Sequence, residues 1–220
     1  MPTKNRSPIL LSLLLSMAVA GCTATTTATT AVTKPLEQSR AVETASYVAQ
    51  PDEKFPVAAV DVSKVDPKNL RQQVEYRTSQ PAGTIVVDTK NRFIYLVQGG
   101  GKAIRYGVGV GREGLEFAGT ANVAWKQEWP RWTPTPDMIK RQPEHYAKWA
   151  KGMDGGPQNP LGARALYLFK DGKDTLFRIH GTNEPQSIGH AVSSGCIRMM
   201  NQDVIDLYRR VPAGSKVVVI

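Results

Sequence analysis

The chain has 220 residues, of which 41% are hydrophobic and 21% charged, with a formal charge of +9 and two cysteines. Those proportions suit one globular domain and exclude a disordered polyelectrolyte. The basic residues are scattered instead of running together with aromatics, so the charge reads as a solvated surface and no nucleic-acid partner is expected.

Met1 to Arg6 carries Lys4 and Arg6, and Ile9 to Ala20 is an apolar stretch well short of the ~20 residues that cross a membrane. Residues 1–21 therefore read as a signal peptide. They end in Val19-Ala20-Gly21-Cys22, which resembles a bacterial lipobox, in which small residues precede a cysteine that becomes the lipidated first residue. Cys22 is thus expected to anchor the chain to a membrane on the periplasmic side. Thr23 stands where an Asp would alter sorting in Gram-negative lipoproteins, which points to the outer membrane. No disulfide between Cys22 and Cys196 is expected, because it would tie a leader end to a domain interior.

Residues 22–80 open with Ala/Thr-rich low complexity and continue polar, with Pro51, Pro56 and Pro67, and read as a flexible tether. A short helix near Leu70 to Tyr76 is left open. A folded domain is expected over 83–220. Thr84 to Asp88, Phe93 to Val97 and Ala103 to Val110 are β-branched or aromatic runs separated by turn residues, and predict a three-strand meander. Ala121 to Ala124, Ala165 to Phe169, Leu176 to Ile179 and Lys216 to Ile220 are further strands. Pro136 to Ala150 suggests a pair of short helices. Gln202 to Arg210 is a better one, with Asn201 as its cap, Val204, Leu207, Tyr208 and Val211 on one face, and Pro212 as its stop. The fold class is mainly β, a sandwich or barrel with a few short helices.

Gly109 to Gly114 formally matches a dinucleotide-binding fingerprint, but no crossover helix or βαβ unit follows, and a glycine-rich strand end is the better reading. The chemistry lies in Arg178-Ile179-His180-Gly181 and, after a loop, Ser193-Ser194-Gly195-Cys196-Ile197-Arg198. An imidazole beside a cysteine takes its proton and holds the developing charge. The amides of Gly195 and Cys196 are candidates to meet an oxyanion, and Arg198 suits a carboxylate. Together these describe acyl transfer on a substrate bearing a carboxylate. Two other readings stand beside it: a small-context cysteine is also a common core residue, and His180, His190 and Cys196 would be an odd zinc set, with no usual ligand spacing. No metal or organic cofactor is required.

This segment resembles the catalytic motif of the L,D-transpeptidase (YkuD-type) family, His-Gly followed by Ser-x-Gly-Cys-x-Arg. Pro81 to Asp88, Tyr106 to Gly111, Glu128 to Pro136 and Gly155 to Arg164 extend the resemblance, the last two towards alphaproteobacterial members. The resemblance implies an L,D-transpeptidase-type β fold. It also implies Cys196 as nucleophile, His180 as proton acceptor and donor, Gly181 orienting the imidazole through its carbonyl, and Arg198 engaging the donor carboxylate, with Ser193 and Ser194 in contact with substrate. Family members often have Ser-His-Gly-Cys, and Ser194 stands here in place of that histidine. The implied substrate is a peptidoglycan tetrapeptide stem that loses its terminal D-Ala. The acceptor is a second stem, giving a 3-3 cross-link, an outer-membrane protein amine, or water, which would make an L,D-carboxypeptidase. A papain-like hydrolase is disfavoured because no histidine follows Cys196. A non-catalytic peptidoglycan-binding lipoprotein is the remaining alternative.

Overall fold

The computed structural model describes residues 45–111, 117–193 and 195–220. The leader, Cys22, the first part of the expected tether, Ser194 and the second half of the glycine-rich fingerprint, residues 112–114, lie outside the described residues. In chain order the strands and helices are β1 (Gln72–Glu75), β2 (Ile85–Asp88), β3 (Phe93–Val97), β4 (Lys102–Gly107), β5 (Val110–Gly111), β6 (Gly119–Glu128), α1 (Pro136–Arg141), α2 (Pro143–Tyr146), β7 (Arg164–Lys170), β8 (Lys173–His180), β9 (Ala191–Ser193), β10 (Ile197–Arg198), α3 (Asn201–Arg210) and β11 (Lys216–Val219).

The expected meander forms: β2, β3 and β4 pair antiparallel in sequence, with Val86 opposite Tyr95 and Tyr95 opposite Arg105. Nine strands make one sheet in the order β1-β4-β3-β2-β11-β6-β7-β8-β10, and β5 pairs with β9 in a second, two-stranded sheet. The protein is mostly β with a few short helices. The ladder ends at β1 and β10, so the barrel half of the expectation does not hold among the described residues; one isolated bridge, Gly109 to Arg198, links β10 to the chain leaving β4. The main core gathers Ile85, Val87, Ile94, Tyr106, Val123, Leu166, Leu168, Ile179 and Val217 from the sheet with Val204 and Leu207 of α3. Tyr106 apart, those side chains are the β-branched and leucine positions whose runs between turns mark the strands, and burial of the cluster is the main driving force for the sheet.

The flexible tether expected over 22–80 is corrected from residue 45 onwards. Tyr47 is buried with Leu70, Ile188 and Met200, and Val57 packs with Trp129, Ala163 and Ile205. The Tyr47 hydroxyl donates to the Asp203 carboxylate, with its oxygens at 3.0 and 2.9 Å, and accepts from the Arg71 amide at 2.7 Å. Glu53 accepts from Arg164 Nη2 at 2.7 and 2.8 Å. Asp61 and Asp66 cap two 3-10 turns, Val62–Lys64 and Pro67–Asn69, and β1 then adds to the edge of β4. Near Leu70 to Tyr76 the structure is thus a strand, not a helix. These residues form a strap across one side of the domain.

The helix predicted over 202–210 is present, but Asn201 does not cap it. Its side chain reaches sideways, accepting from the Ala163 amide at 2.9 Å and donating to the Thr182 carbonyl at 3.0 Å. It thereby joins two loops that meet at the end of β8.

Candidate active site

β8 and β10 lie parallel, with Ile197 opposite Ile179 and Arg198 opposite His180. Side chains alternate along a strand, so Arg178 and His180 share a face with Arg198, and the residue before β10, Cys196, is carried to the same side. Register alone therefore gathers the histidine, the cysteine and the arginine at one sheet end. They line a common cavity of about 260 Å³ with Ser193, Asn183 and Glu184. Its outer wall comes from α1, α2 and the chain around them: Trp132, Met138, His145, Tyr146 and Trp149. Trp132 and Tyr146 meet edge to face at 6.1 Å between ring centres.

His180 is buried, and its Nδ1 lies 2.6 Å from the Gly181 carbonyl oxygen. A carbonyl only accepts, so Nδ1 carries the proton and Nε2 is left bare as the acceptor. Burial holds the imidazole down to about pKa 4; the Gly181 hydrogen bond works against this, and the positive Arg198 and Arg178 add to it. A Cβ on Gly181 would lie 2.2 Å from Asn201 Oδ1, so any larger residue there has to displace the Asn201 side chain.

Cys196 is half-buried, with Sγ 3.9 Å from the Leu176 carbonyl. Burial pushes its thiol up; the Arg178 amide and the charges of Arg178 and Arg198 oppose that, while Asp174 adds to it. The resting pair is accordingly thiol and neutral imidazole. Beside it β8 bulges, with Thr175, Leu176 and Phe177 facing the single residue Leu168 between the paired positions 174–169 and 178–167. Leu176 takes φ +63°, a left-handed conformation that turns its carbonyl towards the thiol.

A family model described as the L,D-transpeptidase catalytic domain, YkuD, matches residues 82–219. The chain belongs to this family. It is 32% identical over 151 residues to the probable L,D-transpeptidase YbiS of Escherichia coli K12, a stretch covering 68% of this chain and 48% of that protein. It is 52% identical over 63 residues to the putative L,D-transpeptidase YkuD of Bacillus subtilis, covering 29% and 36% respectively. A solved structure from Brucella melitensis, described as a probable carnitine operon oxidoreductase caia, is 54% identical and covers 73% of this chain and 99% of that one, with a TM-score of 0.49. The chain spans about half the length of the YbiS protein it matches.

Within this L,D-transpeptidase domain the remaining expected residues fall as follows. Ser193 is buried, donating its hydroxyl to the Cys196 carbonyl at 2.5 Å and accepting from the Gly195 amide at 3.2 Å. It tightens the turn that presents Cys196, and it commits the Gly195 N–H to that turn. Arg198 pairs with Glu184 at 3.0 Å. His190 lies elsewhere, on a roomier cavity of about 810 Å³ between the strap and the loop 182–190, so His180, His190 and Cys196 are not drawn together around one point. Trp129 is a core residue against Phe55 and the strap, whereas Trp132 walls the cavity. His145 is largely exposed and also lines the cavity.

Sequence reasoning missed Glu184, the wall from α1 and α2, and the Arg178–Asp174 fork at 2.7 and 2.8 Å on the strand beside Cys196. The i, i+4 spacing of Asp174 and Arg178 was available as a signal. Nothing local to Glu184 marks its partner fourteen residues on.

Proposed function

We propose that this domain is an L,D-transpeptidase acting on peptidoglycan tetrapeptide stems through a Cys196 acyl-enzyme. The observation that carries the reading is the His180 tautomer: a bare Nε2, fixed by the Gly181 carbonyl, in the same cavity as the thiol. In this reading Nε2 takes the thiol proton as Sγ attacks the carbonyl of the stem's third residue. A neutral imidazole is ready to accept, which a raised thiol requires. The oxyanion then meets the Cys196 amide, since the Gly195 N–H is already taken by Ser193. The imidazolium returns the proton to the leaving D-Ala amine, and Arg198 holds the donor carboxylate. An incoming amine, losing its proton to Nε2, takes the acyl group. A second stem gives a 3-3 cross-link, an outer-membrane protein amine attaches that protein to the wall, and water gives carboxypeptidase activity.

The same reading makes the chain a lipoprotein of the alphaproteobacterial kind, anchored through Cys22 in the periplasm. With residues from 45 onwards packed on the domain, the spacer reduces to residues 23–44, which reach at most about 80 Å fully extended. Incubation of the chain from Thr23 with tetrapeptide muropeptides, read by mass spectrometry against Cys196→Ala, tests the proposal. Cys196-dependent loss of D-Ala with a stem dimer is expected. No reaction by a folded chain would favour a wall-binding lipoprotein.

A further inference from the structure

Among the described residues lining the catalytic cavity, Arg198 is the one arginine or lysine and Glu184 the one acid, and they are bonded to each other. We propose that Glu184 occupies in the free enzyme the place on Arg198 that the donor's carboxylate takes during the reaction, so that it sets how readily donor binds. The proposal rests on Arg198 being the donor carboxylate's partner.

Three observations favour an exchangeable contact over a fixed one. The pair uses a single tooth, Arg198 Nη1 to Glu184 Oε2 at 3.0 Å, whereas Arg178 on the adjacent strand closes a two-toothed fork with Asp174. A carboxylate that closed two parallel N–H···O bonds on Arg198 would be held better than this single-bonded one, so the contact is one that a two-toothed ligand can win by exchange. The Glu184 side chain is 53% exposed against 20% for Arg198. The acid therefore sits on the solvent side of the pair and re-enters water when displaced, while the arginine stays in the cavity. Finally, the Glu184 backbone is held independently of its side chain. Its amide donates to Thr182 Oγ1 at 3.0 Å, and its carbonyl accepts from the Ser187 amide and hydroxyl at 2.9 and 2.7 Å. Only side-chain torsions need to change, and the loop stays in place.

A half-exposed pair of this kind shifts an equilibrium by a few-fold. Glu184→Gln in the otherwise intact chain is expected to lower KM for the tetrapeptide donor about three- to tenfold with kcat near that of the parent. The effect should vanish in an Arg198→Gln background, because general loss of a negative charge would act in both backgrounds whereas displacement acts through Arg198. A readout that needs no turnover is the ratio of Cys196 alkylation rates with iodoacetate and iodoacetamide, which differ by one carboxylate. Glu184→Gln should raise that ratio a few-fold, and Glu184→Gln/Arg198→Gln should not raise it over Arg198→Gln. An unchanged ratio, a ratio that rises equally without Arg198, or a KM that rises with falling kcat overturns the proposal. If the parent chain turns no stem peptide over, the transpeptidase reading fails by itself, and the alkylation ratios still decide whether Glu184 withholds Arg198 from a carboxylate.

Discussion

Glu53→Ala removes the strap's most deeply set ionic contact. Both partners' side chains are less than one-tenth exposed. The Glu53 carboxylate accepts from Arg164 Nη2 on both oxygens and from the Trp129 indole at 3.3 Å. Without it the Arg164 guanidinium keeps, among the described residues, only Glu128, 3.8 Å away on the solvent side, as a counter-charge. Removing one partner of a buried pair costs about 3–5 kcal/mol, because the other is left uncompensated. At about 2–4 °C per kcal/mol for a domain of this size, Tm should fall by roughly 6–20 °C. The effect should reach the active site, since the Arg164 carbonyl accepts the Gly181 amide at 3.0 Å and Gly181 orients His180. Scanning calorimetry of the parent and variant, each as the chain from Thr23, measures the shift. A fall below about 2 °C would refute the argument that the strap belongs to the cooperative fold.

Gly181→Ala places a Cβ against Asn201 Oδ1 and within 3.0 Å of the Ala163 amide. The Asn201 side chain must give up its bonds to the Ala163 amide and Thr182 carbonyl, which loosens the loop that carries the His180-orienting carbonyl, and kcat/KM should fall about 10- to 100-fold with the circular dichroism spectrum retained; unchanged kinetics would remove Gly181 from the account. With His180 held down to about 4 and the Cys196 thiol pushed up, the alkylation rate with iodoacetamide should climb through neutrality and keep climbing past the ordinary cysteine range. A plateau at mildly acidic pH would reveal a thiolate–imidazolium pair instead. Asp203, fully buried beneath Tyr47, is raised to about 7 by burial, with Asp206 adding to this and with Arg71 and the Tyr47 hydrogen bond opposing it. A raised carboxyl contributes stability that is complete below the ordinary carboxylate range and is lost as pH rises through about 7. The Tm difference between parent and Asp203→Asn should therefore move against the parent from about pH 4 to 8; parallel curves would contradict the assignment.

The gathering of His180, Cys196 and Arg198 was legible because they lie close in the chain, on or next to strands that pair side by side. The strands of the meander were legible because β-branched runs such as Ile85-Val86-Val87 alternate against turns. The strap was not, because its anchors answer to distant partners: Tyr47 to Asp203 is 156 positions, and Glu53 to Arg164 is 111. Polar residues, prolines and irregular spacing read as a linker when the groups they satisfy are out of sight. β1 was invisible for another reason: Gln72-Gln73-Val74-Glu75 has no apolar face, being an edge strand held mainly by its backbone ladder to β4. Asn201 shows the limit of local rules, since a residue well suited to cap a helix instead ties together the loops at Ala163 and Thr182.

The most direct test of the Cys196 acyl-enzyme is intact-protein mass spectrometry of the chain mixed with a tetrapeptide donor and quenched in acid, followed by peptide mapping. The account predicts an adduct on Cys196 with the mass of the donor stem less its terminal D-Ala, absent from Cys196→Ala and greatly slowed in His180→Ala. D-Ala release by Cys196→Ala at the parent rate, with no adduct on the parent, would contradict it.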